Sequence, residues 1–240
     1  MTGDDSDDEP ITLSSHALEA LAAFTAEQDA RTKEFERLKA EAERKALEAV
    51  PLSMDIFTED WNESQFWYSD ETAGHFASKL LEGAGEDEVV AVISAPSVFV
   101  AMKNLVNKYE PGRPRPRIIL LEHDKRFDVF PEFEFYDFMY PFKLPGEFKG
   151  IADRIIIDPP FLSEDCQTKA ALTARWMANP NSKSNKVIVC TGERMKDLVN
   201  KVYKSFGVKT TNYEPVHARG LSNEFYCYSN FECEHWKWVA

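Results

Sequence analysis

Residues 154–164 read RIIIDPPFLSE. Three consecutive isoleucines without polar alternation predict a strand that is buried on both faces, as in a parallel sheet. Three more runs of this kind occur in the chain: VVAVIS from Val89, RIILLE from Arg117 and KVIVCT from Lys186. Helical patterns over 98–108 and 163–177 lie between these runs, and a third over 193–206 follows the last one. The alternation predicts a doubly wound α/β sheet.

Composition divides the chain into three regions. Residues 1–13 begin MTGDDSDDEP and are predicted to form a disordered acidic tail. Residues 14–50 have high helix propensity and no interior proline or glycine, which predicts an N-terminal helical extension. Residues 51–240 have the composition of a folded domain, with an amphipathic helix predicted over 70–84. Near the C-terminus, VKTTNYEP and NEFYCYSNF predict an antiparallel pair of strands that closes one edge of the sheet.

The composition also disfavours several classes of protein. The formal net charge of −13 disfavours a long nucleic-acid groove and favours a basic partner. No apolar stretch approaches the ~18–20 residues of a membrane span, and the acidic N-terminus is unlike a targeting peptide, so we expect a cytoplasmic protein without a membrane anchor. The four cysteines form no CxxC pair and lack metal-site spacing with the five histidines. We therefore expect reduced thiols and no metal site.

Ligands of open α/β sheets bind beyond the carboxyl ends of the strands, so the residues there are candidates for a binding site. The first run is followed by SAP at 94–96 where a dinucleotide fold has GxGxxG, which disfavours an NAD oxidoreductase. The second run ends in LLEHD, so Glu122 or Asp124 stands where a carboxylate holds a ribose diol. An aromatic segment ends at Asp137. A solvated acid after one strand is common, but acids at several strand ends favour a nucleoside cofactor.

The DPPF sequence that ends the opening stretch indicates the chemistry of the site. Proline lacks an N–H and holds the preceding residue extended, so the carbonyls of Asp158 and Pro159 have no obvious donor nearby. Rigid acceptors, a carboxylate and the ring of Phe161 form a receptor for a group that carries N–H bonds. A turn that merely ends the strand is the alternative. The position of DPPF after the fourth buried run favours binding of an amine.

The DPPF motif resembles the signature of amino-group methyltransferases that use S-adenosylmethionine. The chain resembles more closely the eukaryotic protein-lysine methyltransferases of translation elongation factor 1-alpha, a family formerly grouped with N6-adenine methyltransferases. The motifs that carry the resemblance occur in order from about residue 60 to 231: ESQFWYSDETA, SAPSVF, EHDKRF, FYDF, DPPFLSEDC, CTGERM and LSNEFYCY. The resemblance implies a Rossmann-like class I S-adenosylmethionine-dependent methyltransferase fold with a seven-stranded, mostly parallel sheet.

The resemblance also implies roles for individual residues. Glu122 would hold the ribose, Asp137 and Phe138 would lie near the adenine, and the DPPF motif would receive the substrate amine. The implied cofactor-binding residues are Gln65, Trp67, Tyr68, Ser94, Ala95, Pro96, Glu122, Asp137, Phe138 and Asp158. The implied catalytic residues are Asp158, Pro159, Pro160 and Phe161, and the implied substrate residues are Phe161, Asn223, Glu224 and Phe225. The structural alternatives are an aromatic plug under the N-terminal helix, which suits Phe66 better than Trp67 or Tyr68, and a plain edge strand at 223–225.

The implied reaction is methyl transfer to a neutral lysine amine of a basic protein, without a stable nucleic-acid complex. Removing a proton from lysine at neutral pH costs about 4–5 kcal/mol, because its pKa is about 10.4. A neighbouring carboxylate raises that pKa further, so we expect Asp158 to orient the amine and not to act as a general base. Two alternatives remain open: adenine methylation of DNA or RNA, which would need a basic groove, and a non-catalytic scaffold that binds the cofactor.

Overall fold

The computed structural model describes residues 51–57, 59, 65–183, 185–220 and 224–239, together with Glu19, Lys33 and Arg37. The chain divides into two compact units, Met1–Glu41 and Ala42–Ala240. The three described residues of the first unit are helical and exposed. The predicted acidic tail at 1–13 and the remainder of the predicted helix at 14–50 lie outside the described residues, so both stay predictions.

The second unit contains a seven-stranded sheet, which confirms the predicted fold class. In chain order the strands are β1 (Val89–Ile93), β2 (Arg117–Glu122), β3 (Phe133–Phe135), β4 (Arg154–Ile157), β5 (Lys186–Gly192), β6 (Lys209–Thr210) and β7 (Phe225–Ser229). Their order in the sheet is β3-β2-β1-β4-β5-β7-β6. Neighbours among the five strands β3, β2, β1, β4 and β5 pair in parallel, and β7 pairs antiparallel with both β5 and β6. The predicted antiparallel pair near the C-terminus is thereby confirmed.

Four α-helices accompany the sheet in the described part of residues 42–240, and serine caps explain where two of them begin. They are α1 (Asp70–Leu81), α2 (Pro96–Asn107), α3 (Glu164–Met177) and α4 (Lys196–Val202). The hydroxyl of Ser69 accepts a hydrogen bond from the N–H of Thr72, and the hydroxyl of Ser163 accepts one from Cys166, so both serines cap their helices. The helix predicted over 193–206 is interrupted. Short 3₁₀ turns flank α4, and left-handed Gly207 ends the segment.

The centre of the sheet explains where a ligand site lies. All residues of β1 and β4 are buried, as their unbroken apolar runs predict. From β1 the chain moves outward to β2 and β3, then returns to the other side of β1 for β4 and β5. The carboxyl ends of β1 and β4 therefore form the switch point of the sheet, where a crevice opens between loops that leave in opposite directions.

A buried arginine at the opposite end of the sheet was not anticipated from the sequence. Arg154, the first residue of β4, is 2% exposed. Its guanidinium donates to the carbonyls of Leu80 at 2.9 Å and Glu82 at 2.7 Å, which terminate α1, and pairs with the Glu88 carboxylate at 2.9 Å. These partners satisfy a charge that would otherwise be costly to bury. Arg154 thus attaches the end of α1 to the sheet.

Two further observations bear on the class of protein. All four cysteines carry free thiols, and three of them are buried. Among the residues that the structure describes, no helix combines the length and the apolar character needed to cross a bilayer.

Candidate active site

A cavity of ≈ 870 Å³ opens at the carboxyl ends of β1, β2 and β4. Its volume lies within the roughly 300–1,000 Å³ typical of small-molecule sites. The predicted residues that line it are Gln65, Trp67, Ser94, Ala95, Pro96, Glu122, Asp137, Phe138, Asp158, Pro159, Pro160, Phe161 and Phe225. The structure therefore brings together most of the residues that the resemblance implies.

The wall after β1 contains a strained backbone. Ser94 has a φ of 53° and is the only described non-glycine residue with a positive φ. Its N–H donates to the carbonyl of Leu121 on β2 at 2.8 Å, which holds the turn in place. Pro96 then opens α2, whose first turn has no side-chain cap and lines the cavity with Ser97. Such a conformation costs about 1–3 kcal/mol and persists only where the surrounding structure enforces it. Residues of this kind are often found at binding sites.

Glu122 ends β2 with its carboxyl group at the cavity although the residue is only 7% exposed. One carboxyl oxygen, Oε1, accepts hydrogen bonds from the backbone N–H groups of His123 and Asp124 at 2.8 and 3.1 Å. Burial raises the pKa of this carboxyl to about 7, and these N–H bonds oppose that rise. Within the described part of the chain, Oε2 accepts no hydrogen bond, so it can accept one from a ligand.

Asp158 follows β4 and has its carboxyl group at the same cavity. The hydroxyl of Tyr68 donates to its Oδ2 at 2.6 Å, from a position 90 residues earlier in the chain. Burial raises the pKa of Asp158 to about 7; the Tyr68 bond opposes this, and the charge of Glu122 adds to it. Within the described residues, the carbonyls of Asp158 and Pro159 accept no hydrogen bond, as the two prolines predict. These carbonyls and the carboxylate are available to a ligand donor.

Tyr68, which the resemblance implies as a cofactor-binding residue, is not among the residues that line the cavity. Its side chain is 2% exposed, and its ring packs edge-on against Phe76 with centroids 5.7 Å apart. The ring also lies 5.0 Å from that of His217. The side chain is enclosed because it fills the space between α1 and the loop that carries His217, so it reaches the site only through Asp158.

The rest of the QFWY stretch is partly structural. Trp67 is 7% exposed, and its indole N–H donates to the carbonyl of Phe57 at 2.7 Å. Its ring lies edge-on to Phe127 at 6.2 Å, so Trp67 packs into the interior of the domain while also contributing to the cavity wall. Gln65 donates to Asp124 at 3.0 Å and accepts from Arg126 at 2.9 Å. This hydrogen-bonded group closes the cavity beside Glu122.

The substrate side of the cavity is less well predicted. Phe161 is 39% exposed, and its ring lies 5.6 Å from that of Phe138. Phe225 lines the cavity, whereas Glu224 is exposed and does not. Asn223 lies outside the described residues. The described residues contain no group of three or more side chains able to hold a metal ion.

Several residues that line the cavity were missed from the sequence: Ser97, His123, Tyr136, Leu162, Arg194, His217 and Gly220. His217 illustrates why the sequence did not predict these residues. A lone histidine in a loop carries no motif, yet a β-bridge to Tyr68 and ring contact with Phe225 at 4.7 Å bring it to the wall. Burial lowers the pKa of His217 to about 4, so its imidazole is neutral at physiological pH.

Comparison with known proteins identifies relatives over most of the chain. The profile of the family described as "Probable N6-adenine methyltransferase" matches residues 59–233. The protein-lysine N-methyltransferase EFM5 of Saccharomyces cerevisiae is 43% identical over 95% of this chain and 95% of its own. EEF1A lysine methyltransferase 1 of Homo sapiens is 36% identical over 94% of each chain, and that of Gallus gallus is 37% identical over 95% and 97%.

Proposed function

Because the chain belongs to the methyltransferase family of EFM5 and EEF1A lysine methyltransferase 1, we propose that it methylates a lysine side chain of translation elongation factor 1-alpha. The methyl donor is proposed to be S-adenosylmethionine, bound in the cavity at the switch point of the sheet. A cytoplasmic location is proposed with this function, because translation takes place there. The observation that carries the proposal is the convergence of Glu122, Asp158 and the DPPF loop on one cavity.

The residues of the cavity fit this donor. The ≈ 870 Å³ volume accommodates a nucleoside with an amino-acid side arm. Glu122 lines the cavity, and its Oε1 is held by two backbone N–H groups, which leaves Oε2 to accept from a ribose diol. Asp137 and Phe138 supply a polar and an aromatic wall for a purine. When bound, S-adenosylmethionine supplies an electrophilic methyl group attached to a positively charged sulfur.

The DPPF loop is proposed to receive the lysine. A lysine amine carries N–H donors, and the carbonyls of Asp158 and Pro159 together with the Asp158 carboxylate are the acceptors at this wall. Fixed acceptors hold the nitrogen lone pair in a single direction, which lowers the barrier by alignment. The ring of Phe161 at the mouth of the cavity provides a face for the methylated cation.

Asp158 has to be ionised to accept from the amine, and its raised pKa of about 7 sets the pH at which this occurs. The carboxyl group is protonated below that pH and then offers fewer acceptor positions. We therefore propose Asp158 as an orienting group whose charged form is required. Tyr68 supports the charged form because its hydroxyl donates to the carboxylate.

Adenine methylation is the second candidate, because the description of the matching family profile names it. An exocyclic adenine amine also carries N–H donors, so the DPPF loop alone does not separate the two substrates. The net charge of −13 favours a basic protein over a polyanion. The names of the relatives favour lysine as well.

The test is methyl transfer from isotopically labelled S-adenosylmethionine to two substrates in parallel. One is elongation factor 1-alpha produced without the modification, and the other is adenine-containing DNA and RNA in single- and double-stranded form. Asp158→Ala is compared with Asp165→Ala, a matched control because Asp165 is an exposed acid in the first turn of α3. Label on one lysine, lost only in Asp158→Ala, is the expected result. Label on adenine alone would exclude the lysine assignment.

A further inference from the structure

Several exposed apolar side chains belong to segments of the chain that also line the cavity. Among the described residues, the large hydrophobic side chains that are exposed are Phe135, Met139, Tyr140, Phe142, Phe161, Val216, Trp238 and Val239. Phe161 lines the cavity, and Val216 adjoins the cavity residue His217. Met139, Tyr140 and Phe142 follow shortly after another cavity residue, Phe138. Clusters of this kind on a soluble domain mark sites of interaction with other molecules.

The loop that carries three of these side chains is held firmly. The N–H of Tyr140 donates to the carbonyl of Asp137, and the N–H of Lys143 donates to the carbonyl of Tyr140, both at 2.9 Å. The Thr173 hydroxyl of α3 donates to the carbonyl of Pro141 at 3.1 Å. The exposed fractions of Met139, Tyr140 and Phe142 are 47, 60 and 53%. The loop therefore presents apolar side chains to solvent from an ordered backbone, a preorganised surface that lowers the entropic cost of binding.

Two further segments that reach the cavity carry exposed acidic residues. Glu224 precedes the cavity residue Phe225, and Glu193 precedes the cavity residue Arg194. The N–H of Glu193 donates to the carbonyl of Glu224 at 2.9 Å, which brings the two acids together. Hydrogen bonding to Glu193 and repulsion by it, with a further contribution from Glu214, raise the pKa of Glu224. A cationic partner would relieve the repulsion between two carboxylates held this close.

We propose that the protein substrate docks across the mouth of the cavity on two surfaces. The aromatic rim consists of Met139, Tyr140, Phe142 and Phe161, and the acidic rim consists of Glu193 and Glu224. The partner is a folded protein whose acceptor lysine has an apolar residue on one side and basic residues on the other. The inference rests on the proposed function, because the two rims flank the cavity that is proposed to receive the lysine.

The aromatic rim is tested with the double variant Tyr140→Ala/Phe142→Ala, which leaves the cavity lining unchanged. Val239→Ala is the matched control, since Val239 is 42% exposed in the C-terminal segment and does not line the cavity. We expect the KM for elongation factor 1-alpha to rise about tenfold or more, as for interface aromatic residues. The KM for S-adenosylmethionine and kcat at saturating protein substrate should stay within about twofold of the unchanged enzyme, and the control should match it throughout.

The acidic rim is tested by the dependence of the KM for elongation factor 1-alpha on salt concentration. Glu224→Gln should reduce this dependence, because it removes one negative charge from the acidic rim. Glu86→Gln is the control, since Glu86 is exposed in the turn before β1, at the far end of the sheet. An unchanged KM in the aromatic double variant, or an equal rise in both KM values, would overturn the docking surface alone. Absence of transfer by the unchanged enzyme would overturn the proposed function as well.

Discussion

The hydrogen bond between Tyr68 and Asp158 predicts a specific change in how activity depends on pH. Replacing Tyr68 with phenylalanine removes the hydroxyl that donates to Oδ2 of Asp158 at 2.6 Å and leaves the buried ring in place. A hydrogen bond to a charged group contributes about 1.5–3 kcal/mol. At 1.36 kcal/mol per pKa unit, its loss raises the pKa of Asp158 from about 7 to about 8–9.

The size of the effect on rate follows from the ionised fraction of Asp158. With a pKa of about 7, roughly three quarters of the carboxyl groups are ionised at pH 7.5, and with a pKa of about 8–9 roughly a quarter to a thirtieth. The ratio of kcat/KM between the unchanged enzyme and Tyr68→Phe should therefore grow as pH falls. It should approach a constant near pH 9.5 and reach about tenfold to a hundredfold near pH 6.

The assay measures kcat/KM for S-adenosylmethionine from pH 6 to 9.5 with the same protein substrate. Deprotonation of the substrate lysine also depends on pH, but it is common to both enzymes and cancels in their ratio. Tyr203→Phe is the control, because Tyr203 is fully buried and its hydroxyl has no hydrogen-bond partner among the described residues. A ratio that is constant across the pH range would refute the link between Tyr68 and the ionisation of Asp158.

Three more predictions address the site and its support. Asp158→Asn should abolish transfer yet make the cofactor-free protein more stable than the unchanged protein at high pH. The pKa of Asp158 is about 7 in the folded state and 3.8 ordinarily, so folding favours the protonated carboxyl. The stability that Asp158 contributes is therefore present at low pH and lost as pH rises through 7. In urea denaturation, the free energy of unfolding of the unchanged protein should fall by about 2–3 kcal/mol relative to Asp158→Asn between pH 5 and 8; parallel curves would contradict the assignment. Arg154→Met should cost about 3 kcal/mol of unfolding free energy, because Glu88 loses its ion-pair partner and the carbonyls of Leu80 and Glu82 each lose one donor. An unchanged denaturation midpoint would count against this. Gly192→Ala would bring a Cβ to 2.9 Å from the side chain of Leu162, which must then shift beside the DPPF loop. We expect kcat/KM to fall about tenfold with little change in melting temperature. Full activity would mean that the loop tolerates the shift.

Local sequence determined the helices and strands well because the forces that form them act between near neighbours. Unbroken apolar runs predicted the buried strands β1, β2, β4 and β5 to within a few residues. The serines that cap α1 and α3 stand in the sequence directly before the helices they start. The broken helix around α4 was the exception, since α4 and the two short 3₁₀ turns that flank it share the helical pattern of one continuous helix.

The candidate site was predictable to the extent that it follows the ends of strands. Topology places the carboxyl ends of β1, β2 and β4 side by side, so Ser94, Glu122 and Asp158 had to converge once the strand order was known. His217 and Arg194 were missed because they reach the cavity from loops whose paths no local pattern specifies.

The sequence by itself determined the sheet, the order of its motifs and the acceptor character of DPPF, since these depend on neighbouring residues and on the fixed geometry of proline. Only the tertiary structure decided that Tyr68 supports Asp158 from behind the cavity wall and that Arg154 is buried with its charge satisfied. Both contacts join residues more than 60 positions apart in the chain. Their existence depends on how whole elements pack, and the raised pKa of Asp158 arises from that packing because burial removes the carboxyl from water.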